Sequence, residues 1–300
     1  MSLNAGCRYE ETIDGRGQGR TVVEYLATRY THTGAEEWRH RIESEGVRVD
    51  GLVVSPETLL QRGQRLVWSR PPWEEPEAPL GFAVLYEDAE LIAVAKPSGL
   101  PTLPGASFLE HTLLHLVRQR APLASPVHRL GRGTSGIVLF GKTPQACASV
   151  SMSWGSEDVV KIYRALVQGR VSQDAFEIAA PIGPVRHEVL GTVHAHSSAG
   201  KAARSHVRVL ERREHTSVVE VRIDTGRPHQ IRIHMASAGH PLVGDPLYVS
   251  GGGIRAEGAA VPGDLGYLLH AERLNLPHPS GAALSIYCAP PPRLRLGHAP

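Results

Sequence analysis

The stretch that most restricts how this 300-residue chain can fold is Val127–Lys142, VHRLGRGTSGIVLFGK. Ile137, Val138, Leu139 and Phe140 form a short apolar run between Gly136 and Gly141, which predicts a buried strand. Just ahead of it lies a polar segment carrying His128, Arg129, Arg132 and Gly131. A strand that starts directly after such a segment holds it at the mouth of a sheet, where a rigid scaffold can aim it. Gly131, Gly133 and Gly136 also spell G-x-G-x-x-G, the dinucleotide-binding fingerprint. That motif needs a helix opening on its glycines so that helix amides meet the pyrophosphate. The continuation here is strand-like, so the nucleotide reading lacks its context.

The chain is long enough for one large domain and a small one. No apolar run reaches the length that spans a bilayer, and the acidic N-terminus, MSLNAGCRYEETIDG, has no apolar core of a secretory signal. Cys7, Cys147 and Cys288 are scattered and without metal spacing. An odd, sparse set fits free thiols in a reducing cytosol, and a cytoplasmic monomer is the expectation. The net charge of +2 does not announce nucleic acid. Its make-up is more suggestive, since only Lys96, Lys142, Lys161 and Lys201 are lysines and the other cations are arginines. Arginine suits bidentate phosphate contacts and stacking on bases. A codon bias explains the same composition, so charge alone leaves the partner open.

Residues 1–70 read as a module of their own. Thr21 is placed to cap a short helix, and Gly34 precedes a second one with Trp38 and Ile42 on one face. Val47, Val49, Leu52 and Val54 flank Asp50-Gly51, a hairpin signal because both turn positions want positive φ. Acids and arginines of this segment balance, so any RNA contact would come from a local patch such as Arg39, Arg41 and Arg48. The same three arginines fit a solvated helix face equally well. The stretch 71–80, PPWEEPEAPL, reads as a proline-rich linker.

From residue 81 to 300 a second domain is expected. Ala83–Tyr86 and Leu91–Val94 flank an acidic turn and read as a hairpin, with Lys96-Pro97-Ser98-Gly99 after it. His111–Arg120 and Thr143–Ser153 read as helices, and Lys161–Val167 and Lys201–Leu210 as strands. A second dense stretch follows at Thr225–Tyr248, TGRPHQIRIHMASAGHPLVGDPLY. Gly251–Gly263 reads as a glycine-rich loop. The histidines offer no zinc-hydrolase spacing, and Ser135 lacks the G-x-S-x-G elbow of serine hydrolases, so neither chemistry is expected and no metal site is assigned.

Together these segments carry a resemblance. Val127–Lys142 resembles the signature loop of the RluA-type RNA pseudouridine synthases, His-Arg-Leu-Asp-x-x-Thr-Ser-Gly, with one departure: the family's catalytic aspartate falls on Gly131. Tyr86–Gly99 resembles the family's Y-E-D-x-x-L-x-x-V-x-K-P-x-G, Lys161–Ala165 its K-x-Y-x-A, and Ser205 stands where a threonine is usual. Thr225–Tyr248 is similar almost letter for letter to T-G-R-x-H-Q-I-R-x-H-x-x-x-x-G-H-P-x-x-G-D-x-x-Y, and His270-Ala271 and Leu276–Pro279 resemble the closing elements. Residues 1–70 resemble, in pattern, the S4-like RNA-binding domain found ahead of such synthases.

The resemblance implies an α+β catalytic domain on a mixed, largely antiparallel sheet, no cofactor, and ribosomal or transfer RNA as partner. It implies that Tyr163 lies beside the target base, that Arg232 pairs with the aspartate, and that Arg129 helps displace the base, with His128, Arg132 and Arg227 among the RNA contacts. Base displacement costs a few kcal/mol of unstacking. Glycine at 131 can supply none of the carboxylate's chemistry. Two readings therefore stand: a uridine-to-pseudouridine isomerase, or an RNA-binding protein on the same fold that has lost that activity. A buried Arg232 would also lack its usual partner, and an uncompensated buried charge costs several kcal/mol. Water, an anion, a substrate phosphate or another carboxylate must sit there. Asp224 and Asp245 are the nearest acids in sequence, and Asp245, before Pro246, reads as a turn residue. Glycine at 131 also admits a positive φ that an aspartate would tolerate less well.

Overall fold

The computed structural model describes residues 3–31, 33–188, 190–255 and 263–297. The chain divides into two compact units, Met1–Glu75 and Pro76–Pro300.

The first unit runs β1 (Cys7–Thr12), α1 (Val22–Arg29), α2 (Ala35–Glu43), β2 (Val47–Val49), β3 (Leu52–Val53) and β4 (Arg65–Arg70). Its four strands form an antiparallel sheet in the order β1-β4-β2-β3. Thr21 caps α1 in a reciprocal capping box with Glu24, satisfying amides at both positions. Asp50 (φ 51°) and Gly51 (φ 83°) turn β2 into β3 with both central residues left-handed, the geometry that matches strand twist. Trp38 on α2 meets Trp68 on β4 edge-on at 4.9 Å, with Tyr9 stacked on Trp68 at 4.2 Å. Strand β1 carries no signal of its own in the sequence, because half its residues are charged.

The proline-rich stretch is not a free linker. Its first half folds back on the N-terminus: Asn4 donates to Glu75 Oε1 (2.8 Å) and accepts from the Trp73 amide (3.1 Å), and its own amide donates to Trp73 O. Its second half belongs to the other unit, where Pro76 O bonds His111 Nδ1 (2.9 Å) and Ala78 packs on the core.

The second unit continues with β5 (Ala83–Glu87), β6 (Leu91–Lys96), α3 (Leu113–Arg120), β7 (Ser125–Pro126), β8 (Ser135–Gly141), α4 (Pro144–Ser153) and β9 (Val160–Gln168). It then runs β10 (Ala175–Ile178), β11 (Ile182–His187), β12 (Gly191–His196), β13 (Ser205–Arg212), β14 (Thr216–Ile223), α5 (Gln230–Ser237), β15 (Leu269–Pro277) and β16 (Ala283–Tyr287). Ten strands make one sheet, with β10-β13-β14-β9-β15-β8-β6-β5 in order, β16 beside β15 and β7 beside β8. Every pairing in it is antiparallel except β8 with β15. The sheet is thus mixed and largely antiparallel, in an α+β fold.

Strand β8 reads as an unbroken apolar run because both of its faces are covered. Ile137 and Leu139 pack towards Ala146 and Val150 of α4, while Val138 and Phe140 pack towards Leu113 and Val117 of α3. Each such burial contributes about 1.5–3 kcal/mol before entropy is counted. The parallel seam with β15 depends on Gly136, whose φ is 110° and whose absent Cβ would lie 2.2 Å from Ala271 O. Only glycine lets the two backbones approach so closely. That seam fixes the Gly131 loop over the segment leading into β15. Of the Gly251–Gly263 loop, residues 256–262 lie outside the described residues.

Candidate active site

Helix α5 carries the middle third of the second dense stretch and is buried on every side. Its polar residues hold it in place. Gln230 Nε2 donates to Arg204 O (2.8 Å) and Ser205 Oγ (3.0 Å), and its Oε1 accepts from Thr225 Oγ1 (2.7 Å) and the Arg227 amide (3.1 Å). His234 bridges Ser205 Oγ and Ala180 O, both at 2.9 Å. Ser205, fully buried, therefore needs a small hydroxyl residue.

Arg232 is 2 % exposed, and its partner is Asp245. Nε and Nη2 donate to the two carboxylate oxygens at 2.7 and 2.8 Å, the bidentate form that makes the strongest charge-assisted bonds. Asp245 Oδ1 also accepts from the amides of Leu247 and Tyr248, both at 3.0 Å. The turn reading of Asp245 is thus half of its role: the same carboxylate shapes the turn and neutralises the buried cation. Burial works against the guanidinium's charge, but the hydrogen bonds and charge of Asp245 outweigh it and raise its pKa. Asp224 plays no part, being turned to His206 (2.8 Å) and Arg222.

The guanidinium lies between two rings, 4.2 Å from the centroid of Tyr267 and 4.9 Å from that of Tyr248. Tyr248 donates its hydroxyl to His194 O (2.7 Å), with His229 Nδ1 2.8 Å away, and burial raises its pKa. His229, at the start of α5 with φ 55°, is brought down to about 4 by burial and then by the charge of Arg232, so it is neutral at pH 7.

The Gly131 loop sits against Tyr267. A Cβ on Gly131 would lie 3.1 Å from Tyr267 Oη and 3.7 Å from Thr134 Oγ1, and one on Gly133 would lie 2.8 Å from the Tyr267 ring. Thr134 Oγ1 and Tyr267 Oη are 3.3 Å apart. The φ of Gly131 is outside the left-handed region, so the positive φ that its glycine allows is not used. Lys96, 1 % exposed, holds the loop from below by donating to Pro97 O, Leu100 O and Arg132 O.

Tyr163, on β9 opposite Ala271, packs both on the cluster containing Leu130 and on the one containing Ile231 and Tyr267. Burial pushes its phenol up to about 12. Arg129 is exposed, and its charge is felt by His229. The fold thus brings Gly131 and Arg232 to Tyr267, packs Tyr163 against the same cluster, and holds Arg129 within electrostatic reach of His229.

Other expected contacts are placed differently. His128 is turned inward: its Nε2 accepts from the Leu139 amide (3.1 Å) and its ring stacks on Trp154 at 4.6 Å. Burial and then the charge of Lys161 lower its pKa to about 3, so it is neutral at pH 7, with Nε2 committed to the scaffold. Arg132 is held by Gly99 O (3.1 Å) and lies over the Phe108 ring, and Arg227 donates to Ala202 O (3.0 Å). In the first unit Arg39 pairs with Glu57, Arg41 with Glu37 while lying over Trp38, and Arg48 with Glu45 (3.5 Å). None of these three is an uncommitted cation, as the balance of acids and arginines there foreshadows.

Among the described residues no group of three or more His, Cys, Asp or Glu side chains is placed to hold a metal. Sequence reasoning gave Tyr267 and Thr134 no role. Tyr267 stands in a glycine-bearing stretch with no periodicity, and only the register of β15 against β8 brings it to Gly131.

Residues 90–237 match the family described as RNA pseudouridylate synthase. The chain is 41 % identical to RNA pseudouridine synthase 5 of Arabidopsis thaliana, an alignment covering 92 % of this chain and 90 % of that protein. It belongs to the RNA pseudouridine synthase family. It is likewise 41 % identical to an uncharacterized RNA pseudouridine synthase of Synechocystis, over 91 % of this chain and 95 % of the relative. Identity to the ribosomal large subunit pseudouridine synthase D of Pseudomonas aeruginosa is 36 %, over 80 % of this chain and 78 % of that one. The fold agrees with that of human RNA pseudouridylate synthase domain containing 1, with a TM-score of 0.57 at 24 % identity, covering 74 % of this chain and 89 % of that one. Within this RluA-type synthase fold, Arg232, paired with Asp245, and the Gly131 loop both lie against Tyr267.

Proposed function

We propose that this chain takes a uridine of a structured ribosomal or transfer RNA into the cleft at the Gly131 loop and isomerises it to pseudouridine. The observation that carries the reading is the arrangement beside that loop, in which Arg232 is bonded to Asp245 and lies against two tyrosine rings. The reaction breaks the N1–C1′ bond and joins C5 to C1′ of the same nucleotide, so protein groups alone serve it. Arg129, exposed on the loop, is suited to fill the place of a displaced base, since a guanidinium stacks as well as donating hydrogen bonds. The first unit, with two helices ahead of a tight hairpin, is taken as an S4-like module that adds RNA contact. The protein is taken to work as a monomer in a reducing cytoplasm, its three cysteines being free.

A second reading, RNA binding without isomerisation, is favoured by one observation. Gly131 supplies no carboxylate, and Asp245 is held by four donors and cannot replace one without uncovering Arg232. Incubation with ribosomal and transfer RNAs, followed by chemical mapping of pseudouridine, separates the two. New pseudouridine at defined sites supports isomerisation; salt-sensitive binding with no product at saturating protein supports the second reading. Failure to bind any structured RNA at low salt would sink both.

A further inference from the structure

We propose that the hydroxyl of Tyr267 does the proton work at this site that the missing carboxylate would otherwise take. The inference rests on the isomerase reading above and adds a residue to it. Its basis is position: the side chain of any residue at 131 would start 3.1 Å from Tyr267 Oη, so glycine leaves the phenol facing the space that a carboxylate would fill. The hydroxyl is aimed and not free to wander. Thr134 Oγ1 stands 3.3 Å from it, Arg232 lies across the ring at 4.2 Å, and Gly133 admits the ring edge where a Cβ would come within 2.8 Å. Asp245, the alternative, has both oxygens engaged.

A phenol hydroxyl is a proton donor. As the N1–C1′ bond breaks, its electron pair stays with the uracil, and Tyr267 gives its proton to the departing base. After the base turns, C5 bonds to C1′ and the C5 proton passes to the phenolate. The uracil keeps the proton it received, which ends on N1, and the phenol is restored. Charge and atoms balance without a co-reactant. The Arg232 guanidinium, held by Asp245 and lying against the Tyr267 ring, keeps the phenol oriented through both transfers.

The test is single-turnover pseudouridine formation by wild type, Tyr267→Phe, Thr134→Val and the Gly131→Asp/Tyr267→Phe double variant, with RNA Kd and melting temperature measured for each. Phenylalanine keeps the ring over Arg232, so folding and Kd should stay as in wild type while the rate falls roughly 100-fold or more, the scale of a lost acid–base group. Thr134→Val should slow the reaction roughly 10-fold by freeing the hydroxyl, and it reads the proposal should Tyr267→Phe fail to fold. The aspartate of the double variant should regain at least part of the lost rate. Wild-type product together with Tyr267→Phe, or Thr134→Val if the former is unfolded, within about threefold of it overturns the proposal and leaves the isomerase reading standing. No product from wild type overturns both.

Discussion

Replacing Asp245 by asparagine keeps the shape of the turn and removes one charge. The amide oxygen can still accept from the Leu247 and Tyr248 amides, but the amide nitrogen then faces a guanidinium nitrogen that also donates. Arg232, 2 % exposed, is left as a buried cation without its counter-charge. Breaking a buried pair from one side costs about 3–5 kcal/mol. For a unit the size of Pro76–Pro300 each kcal/mol moves the melting temperature by about 2–4 °C, so a fall of roughly 6–20 °C is expected. Calorimetry is the assay, with urea unfolding read by fluorescence as a check. Three of the tryptophans (Trp38, Trp68, Trp73) report the first unit and only Trp154 the second, so the two transitions can be assigned. Removing the cation as well, in Arg232→Met/Asp245→Asn, should restore at least half of the loss, since the remaining groups are neutral. A single variant that costs less than about 1 kcal/mol, or a double that is worse than the single, would refute the account of a desolvated pair.

Gly131→Asp should fold with stability within about 1 kcal/mol of wild type, because φ there is ordinary and Tyr267 Oη need give only a few tenths of an ångström; a loss above about 2 kcal/mol in urea would contradict this. Gly136→Ala should cost at least about 3 kcal/mol, since it adds both a strained φ and a 2.2 Å contact with Ala271 O; near-wild-type unfolding would show that the parallel seam can shift. His128, held neutral with a pKa of about 3, titrates near 6.5 when unfolded, so the unfolded chain binds the extra proton between those values. The stability that depends on it is complete above about pH 6.5 and is lost as pH falls towards 3; His128→Gln should flatten that part of the pH profile in unfolding titrations, and an unchanged slope would count against it. Arg129→Ala should weaken RNA binding and lower the slope of log Kd against log salt by about 0.7–0.9, as one phosphate contact is worth; an unchanged slope would move the RNA away from this loop.

The elements that the sequence announces are those with local causes. Thr21 and Thr143 cap helices with their own hydroxyls, Asp50-Gly51 makes its turn from its own φ values, and β8 shows its double burial as an unbroken apolar run. The hidden ones depend on partners far away. Asp245 looks like a turn residue because it is one, and its bond to Arg232 needs a helix packed over that turn. His128 looks like an RNA contact beside Arg129, yet the Leu139 amide takes it inward, because β8 needs an acceptor at its edge. Strand β1 is visible only in its register with β4, since alternate charged residues face solvent. Tyr267 has no local signal at all.

The parallel seam between β8 and β15 also sets an order of events during synthesis. The Gly131 loop leaves the ribosome early, but the ring that backs it belongs to residue 267 and the strand that pins it reaches Ala271. Until that strand emerges, β8 has β6 along one side and β7 against Phe140 and Gly141 on the other, while its start at Ser135 and Gly136 lacks a neighbour on that second side. Closing a seam across some 130 residues is the slow kind of contact to form, so the cleft is among the last parts of the molecule to exist. A growing chain can therefore have folded its N-terminal unit while it still has no cleft in which to hold a nucleotide. Truncations that end before Ala271 should leave the Ser135–Gly136 end of β8 unpaired and the Gly131 loop without its backing ring.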